Sequence, residues 1–355
     1  MNDRSYLDAA IAAIPVPDEQ WEARAWSRLD SLTKPPRSLG HLEELAQRLA
    51  VLQQTEHPGI PRKAIVLMAG DHGVTAQGVS PYPSEVTTQM VANFSAGGAA
   101  INQLAKHAGA KVRVVDVGVA NDLLVTDGII QRRVADGTAD MSLGPAMTRE
   151  QAFAAIRVGI EQVAELAAEG LDLVGTGEMG IGNSTASAAI TSVLTGVDAA
   201  DVVGPGTGLD AAGMLHKTEI VRRAIAVNAP DPKDALDVLA KVGGLEIAGL
   251  VGVVIGAASL GIPVVSDGYI SGAATLVALG IAPTARPWVF ASHRSAEPGA
   301  RVVLRALGLR PVLDLEMRLG EGTGAVLAME IMDAACAVMG GMSTFAEAGV
   351  TDRDD

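Results

Sequence analysis

Five short, largely apolar runs punctuate the chain, and each ends in a polar or glycine-rich motif. They are 64–68, closing in Ala69-Gly70-Asp71-His72-Gly73; 112–117, closing in Gly118; 171–174, closing in Gly175-Thr176-Gly177; 262–265, closing in Ser266-Asp267-Gly268; and 288–290, closing in Ala291-Ser292-His293. Runs this short and apolar read as strands buried on both faces, as in a parallel sheet. Between them, apolar residues recur at helical spacing over 84–94, 96–107, 148–168, 184–194, 213–227, 245–260, 271–279 and 298–307. Strand and helix in alternation predict an α/β fold with a Rossmann-like, doubly wound, mostly parallel sheet. Ligands of such folds bind beyond the carboxyl ends of the strands. The polar motifs fall at those ends.

The flanks have a different texture. Residues 5–14, 17–32 and 39–52 alternate charged and aliphatic residues at helical spacing, with Pro35-Pro36 as a break. Residues 325–339 form another apolar helical stretch. The expected division is 1–60 as N-terminal helices of a small helical domain, 61–312 as the large α/β domain, and 313–350 as an active-site loop and C-terminal helix completing the small one. The last residues, 351–355, are expected to fray.

Composition narrows the function. Among 355 residues there are 40 glycines against four Phe, three Tyr and three Trp, which favours tight turns and close backbone packing. The net charge of −14 argues against nucleic acid or an anionic membrane as partner. It leaves open a local anion site made of backbone N–H groups. Cys336 is the single cysteine; it lies in the apolar C-terminal helix and reads as a core residue. Absence of a disulfide fits a reducing, cytoplasmic setting, and the polar Met1-Asn2-Asp3-Arg4 start has no signal-peptide pattern. Residues 247–266 carry no charge and are long enough to suggest a membrane span. Gly261-Ile262-Pro263 splits them, and Glu246 and Asp267 flank them. A buried helix, a turn and a buried strand are expected there.

The sharpest candidate for chemistry is Glu321, set in Arg318-Leu319-Gly320-Glu321-Gly322-Thr323-Gly324. Glycines bring backbone close to a ligand and allow positive φ. Glu321 precedes a helix, whose dipole is expected to favour the ionised carboxylate, as a general base requires. Gly175-Thr176-Gly177-Glu178-Met179-Gly180-Ile181-Gly182-Asn183-Ser184 follows a strand and opens a helix, so it could cradle a phosphate. The spacing of Gly175, Gly177 and Gly180 matches a dinucleotide fingerprint, but the acidic residue expected on a following strand is absent. Gly204-Pro205-Gly206-Thr207-Gly208 is a second glycine loop, with Lys217 in the next helical segment. Free N–H groups and a nearby ammonium suit phosphate, although no Walker A sequence is present. Plain turns, with a solvated lysine, are the competing reading for both loops.

Three further motifs are less decisive. Asp71-His72-Gly73 suggests metal or acid–base chemistry, yet no partner pair has zinc spacing; no metal is expected, and a buried strand-end hydrogen-bond network is favoured. His293-Arg294-Ser295 could bind an anion or orient a loop. The proline-bounded segment 80–90 enters a helix, and its Tyr82, Gln89 and Met90 could line a pocket for a flat aromatic ligand. Helix capping and core packing explain the same residues equally well. No Gly-x-Ser-x-Gly elbow exists, which disfavours a serine hydrolase.

With these residues in view, nearly the whole chain resembles the nicotinate-nucleotide–dimethylbenzimidazole phosphoribosyltransferases of cobalamin biosynthesis. The motifs that carry the resemblance are Lys34-Pro35-Pro36-Arg37-Ser38-Leu39-Gly40, Ala69 to Gly73, Gly78-Val79-Ser80 with Glu85-Val86-Thr87, Gly177 to Asn183, Gly204 to Gly208, Ser266-Asp267-Gly268, Ser292-His293-Arg294-Ser295 and Arg318 to Gly324. Together they are specific; singly none is. The resemblance implies a homodimer, needs no cofactor, and takes nicotinate mononucleotide and 5,6-dimethylbenzimidazole as substrates. It implies Glu321 as the catalytic base and Glu178 beside the reacting centre. Gly180, Gly182, Asn183, Gly206, Thr207, Gly208 and Lys217 would hold the phosphate. Ser80, Tyr82, Gln89, Met90 and Ser292 complete the expected substrate contacts. The competing functions are a NAD-dependent oxidoreductase and a non-catalytic nucleotide-binding protein.

Overall fold

The computed structural model describes residues 2–123 and 127–352. Its centre is a seven-stranded sheet of β1 (Lys63–Gly70), β2 (Ala110–Gly118), β3 (Ile129–Gln131), β4 (Leu173–Met179), β5 (Val264–Ser266), β6 (Val289–His293) and β7 (Pro311–Leu313). Every pairing is parallel, and the order is β3-β2-β1-β4-β5-β6-β7. The chain turns from one half of the sheet to the other between β1 and β4, the point where doubly wound folds open a crevice for ligand.

The helices in chain order are α1 (Asp3–Ala12), α2 (Gln20–Asp30), α3 (His41–Gln53), α4 (Glu85–Ser95), α5 (Ala100–Ala108), α6 (Arg149–Ala168), α7 (Asn183–Thr195), α8 (Ala199–Val202), α9 (Ala211–Asn228), α10 (Ala235–Val242), α11 (Leu245–Ser259), α12 (Tyr269–Ile281), α13 (Pro298–Leu307), α14 (Thr323–Gly341) and α15 (Phe345–Ala348). Strand β1 shows how the sheet divides them. Its alternate side chains Ala64, Val66 and Met68 join the core beneath α6 and α11, while Ile65, Leu67 and Ala69 join the core beneath α3, α5 and α14. Both faces are covered, so the strand is apolar throughout rather than alternating.

The expected strands and helices are all present within a few residues, and the uncharged stretch 247–266 is the interior helix α11 followed by β5. All of α11 except Ser259 is buried. It lies so close to α6 that a Cβ on Gly252 would collide with the Ile156 carbonyl. Helix α14 alone among the described helices has the length and apolarity to cross a membrane, and half of that span is buried in the protein. Cys336 lies on its buried side. Strands β3 and β7 and helices α8, α10 and α15 had no counterpart in the pattern of the sequence. The edge strands have three residues each, too few to show a period. Helix α10 does carry a signal: Asp234 caps it by accepting from the N–H groups of Leu236 and Asp237.

Residues 1–60 are divided by the sheet. Leu7, Ala10 and Ile14 pack on the α6–α11 side, whereas Ala25, Leu29 and Leu49 pack with Met329, Met332 and Met339 of α14. The C-terminal end is tied to α2 by Arg28, which donates to the carbonyls of Met339 and Met342. The motif at Lys34–Gly40 is structural here: Lys34 Nζ lies 2.8 Å from Glu43 Oε2 in a buried ion pair.

Candidate active site

Three segments meet beyond the carboxyl ends of β1 and β4: the end of β4 with the turn into α7, the 204–208 loop, and the segment before α14. They enclose a cavity of about 680 Å³, a size suited to a small-molecule ligand. Glu178 and Glu321 line it together with Gly180, Asn183, Gly206 and Thr207. Tyr82 and Met90 supply apolar wall, joined by Val86 and Ile270.

Glu178 is the penultimate residue of β4 and is buried. Its Oε2 accepts from the Asn183 amide. Burial, and then the carboxylates of Asp267, Glu246 and Glu321, raise its pKa to about 8. Glu321 has φ of 64°, between Gly320 at 85° and Gly322 at 87°. A non-glycine residue held there is strained, and such strain collects at functional sites. The glycine of β4 explains the tight fit: a Cβ on Gly177 would lie 2.7 Å from the Glu321 carbonyl oxygen. Burial, and then Asp267, raise the Glu321 carboxyl to about 7, and its Oε2 has no hydrogen-bond partner.

That pKa corrects the expectation that the helix dipole would favour ionised Glu321. The dipole is engaged by another residue. Asp267 accepts the N–H of Gly322 at 3.1 Å and of Ala325 at 2.9 Å, so its carboxylate occupies the N-terminus of α14. Asp267 is itself held through its own N–H, which donates to Thr176 Oγ1 at 3.0 Å. Glu321 is left with burial and a like charge, and both favour the protonated form. A base poised near neutral pH is better matched to proton transfer than an ordinary carboxylate.

The glycine motif after β4 is also corrected in part. Gly175 and Gly177 belong to the strand itself. A side chain on Gly175 would meet Ile65, Met329 and Ala325, so these glycines serve close packing of α14 on the sheet. They do not form the phosphate turn of a dinucleotide fingerprint. The turn is Gly180-Ile181-Gly182. Gly182, at φ of 96°, is the N-cap of α7, and Asn183 is its first residue.

A buried cation stands beside the 204–208 loop of the cavity wall. Lys217 is 1% exposed, and its ammonium donates to Ser184 Oγ at 2.8 Å. Burial lowers its pKa to about 8, against the pull of Glu297. Gly206 adopts φ of 54° and Gly208 of 124°. A Cβ on Gly206 would lie 3.2 Å from the Lys217 ammonium nitrogen. Thr207 Oγ1 lies 3.0 Å from Ser80 Oγ, which also accepts the Tyr82 N–H at 3.1 Å, so the two loops are laced together.

Of the remaining expected contacts, Lys217, Ser80, Gly182, Gly208 and Ser292 are not among the residues that line the cavity. Ser292 is buried, its Oγ 3.0 Å from His293 Nδ1. Gln89 is exposed on α4 and does not line the cavity. Asp71 and His72 form the strand-end network: His72 Nε2 lies 2.7 Å from Glu246 Oε1, and Asp71 Oδ2 accepts the Ala120 N–H. Burial lowers the His72 pKa, but the Glu246 carboxylate outweighs it and the net shift is upward. Among the described residues no group of three or more His, Cys, Asp or Glu is placed to hold a metal ion. Lining residues that had no assigned role in the sequence include Arg318, Ile270 and Glu297. Arg318 was legible as part of a motif. Glu297 carried no local signal, because only the fold brings it to the 204–208 loop.

Residues 14–350 match the model of a family described as phosphoribosyltransferase. The chain belongs to this family. It is 52% identical, over 97% of its own length and 99% of the relative's, to the nicotinate-nucleotide–dimethylbenzimidazole phosphoribosyltransferase of Desulforamulus reducens. It is likewise 52% identical to the protein of that name from Chloroflexus aggregans, over 99% of both chains. The solved structure of CobT from Thermus thermophilus superposes with a TM-score of 0.90, covering 94% of this chain and 99% of that one at 49% identity.

Proposed function

We propose that this protein transfers 5-phosphoribose from nicotinate mononucleotide to 5,6-dimethylbenzimidazole, in assembly of the nucleotide loop of cobalamin. The products are α-ribazole 5′-phosphate and nicotinate. The observation that carries this reading is one cavity lined by a poised carboxylate, with a buried lysine beside its 204–208 loop, in a chain of this family.

A benzimidazole nitrogen attacks C1′ as the glycosidic bond to nicotinate breaks. The bonding pair passes to the pyridinium nitrogen, so the leaving group needs no acid. The second ring N–H of the benzimidazole becomes acidic, and its proton goes to Glu321. A carboxyl with a pKa of about 7 is substantially ionised at neutral pH and can take it. Glu178 is protonated at neutral pH in the empty site, its pKa being about 8. The pyridinium ring of the nucleotide beside it favours the ionised form, in which it can stabilise positive charge developing on the ribose.

Gly180, Gly182, Asn183, Gly206, Thr207, Gly208 and Lys217 are the proposed phosphate side, and Ser292 is a further proposed substrate contact. Ser80, Tyr82 and Met90 are proposed for the base. Gln89, exposed on the same helix as Met90 and outside the cavity lining, is left out of the base side. The homodimer and the cytoplasmic setting belong to the proposal on the strength of the family resemblance. So does the small helical unit, supported by the packing of α2 and α3 on α14.

Incubation of the purified protein with nicotinate mononucleotide and dimethylbenzimidazole should yield α-ribazole phosphate, read by mass. Nucleotide that is bound but never consumed would return the protein to the non-catalytic class.

A further inference from the structure

The loop after β6 carries a carboxylate that the transfer chemistry does not use. Glu297 immediately precedes α13 and is 3% exposed. It occupies the N-cap position of that helix, yet its side chain makes no capping bond. The side chain crosses instead to the 204–208 loop. Oε1 accepts the Gly206 N–H at 3.0 Å. Oε2 lies against Gly204, where any Cβ would collide with it, and has no hydrogen-bond partner.

Its charged surroundings come from three elements. Lys217 faces it from α9, Arg318 from the segment before α14, and the Tyr269 hydroxyl lies nearby on α12. Arg318 also donates to the Gly206 carbonyl at 2.6 Å. Gly206 is therefore gripped at both its N–H and its C=O.

A carboxylate beside an anion site repels the anion, so its presence calls for a compensating role. Helix capping is not that role, since the bond is absent. Two effects remain, and the geometry provides both. The carboxylate pins the backbone of Gly206, which fixes the loop. It also faces a lysine whose burial works against the charged form, and an opposite charge nearby favours that form.

We propose that Glu297 is a positioning residue for phosphate recognition, holding Gly206 and the Lys217 ammonium in the arrangement that receives the 5′-phosphate of the nucleotide. This rests on the phosphoribosyl-transfer reading and adds to it a residue that touches neither the base nor the reacting carbon.

Two variants separate the hydrogen bond from the charge. Glu297→Gln keeps an oxygen for the Gly206 N–H and loses the charge; Glu297→Ala loses both. Calorimetry on the full chain gives dissociation constants for nicotinate mononucleotide and for nicotinate riboside, which lacks the phosphate, between pH 6 and pH 8.5. Glu297→Ala should weaken the mononucleotide by about tenfold, the scale of one charge-assisted contact, and leave the riboside unchanged. Glu297→Gln should match the parent at pH 6 and fall progressively behind it toward pH 8, as Lys217 loses its proton earlier than in the parent. Riboside and mononucleotide weakened equally would overturn the proposal, because the loss would then be general distortion of the site. A Glu297→Gln series that tracks the parent at every pH would overturn it too, and this arm decides the matter if Glu297→Ala does not fold. A parent that binds no mononucleotide removes the phosphoribosyl reading itself, and the inference with it.

Discussion

Two groups of buried charge meet at this site: Glu178 and Glu321 on the cavity wall, and Lys217 beside the 204–208 loop. Burial raises the two carboxyls to about 8 and about 7 and lowers the ammonium to about 8. The common cause is desolvation, which penalises a charged group of either sign. The neighbours differ. Asp267 and Glu246 add to the effect of burial at the acidic group, whereas Glu297 opposes it at the basic one. One group is thus poised to exchange a proton and the other is supported in keeping one. The same fold supplies the carboxyls from a strand end and a short loop, and the ammonium from helix α9.

The most damaging change should be at the acidic group. Glu321→Gln should lower turnover by roughly 10²–10⁴, the range for a positioned base, with the far-UV signal and melting temperature preserved. The sign of the pH dependence follows from the role. A base must be unprotonated, so kcat/KM of the parent should rise with pH through about 7, and that acid limb should vanish in the variant. Dimethylbenzimidazole titrates in the acid range as well, so the limb is read as the difference between variant and parent. Retention of most turnover would move the base to Glu178.

Lys217→Ala breaks the other group. Loss of a charged hydrogen bond to phosphate costs on the order of 1.5–3 kcal/mol, seen as weaker nicotinate mononucleotide binding with dimethylbenzimidazole unaffected. The ammonium must be protonated, so affinity of the parent should decline as pH rises through about 8, and the decline should be missing in the variant. Equal affinity of variant and parent would dissolve the contrast between the two groups.

A third test reads the contrast in stability. The folded Glu178 holds its proton up to about pH 8, against an ordinary value of 4.5. The unfolded chain therefore releases the proton first, and stability is lost as pH rises from about 4.5 to about 8. Glutamine cannot ionise. Glu178→Gln should melt close to the parent at pH 5 and a few degrees above it at pH 8. Parallel melting curves at the two pH values would show that the ionised carboxylate is not penalised where it stands.

The smallest effects are expected at the apolar wall. Met90→Ala removes contact surface from a half-buried side chain and should raise the KM for dimethylbenzimidazole several-fold, on the order of 1 kcal/mol. Gln89→Ala, on an exposed neighbour, should leave it unchanged. A rise at Gln89 matching that at Met90 would bring Gln89 back to the base pocket.

Much of this was legible in the chain itself. Apolar runs such as 64–68, ending in polar motifs and separated by helical periods, announce a parallel sheet with its chemistry at the strand ends. They do so because a strand buried on both faces must be apolar throughout. Glu321 was legible for a similar local reason: glycines on both sides permit the positive φ that the structure shows.

Other features were decided only in three dimensions. Strands β1 and β4 are neighbours although all of β2 and β3 lies between them in sequence, and the crevice exists because of that order. Edge strands β3 and β7 are too short to carry a period of their own. Gly175 and Gly177 resemble a phosphate turn in sequence, yet α14 packs on them, and only the packing partner reveals the difference. The proton affinity of Glu321 depends on Asp267, distant in sequence, which takes the helix N-terminus that local sequence assigned to Glu321 itself. Glu297 acquires its place beside Gly206 in the same way. Backbone preference is set by adjacent residues and can be read along the chain. Desolvation and Coulomb terms are set by whatever the fold brings within a few ångströms, and no local pattern encodes them.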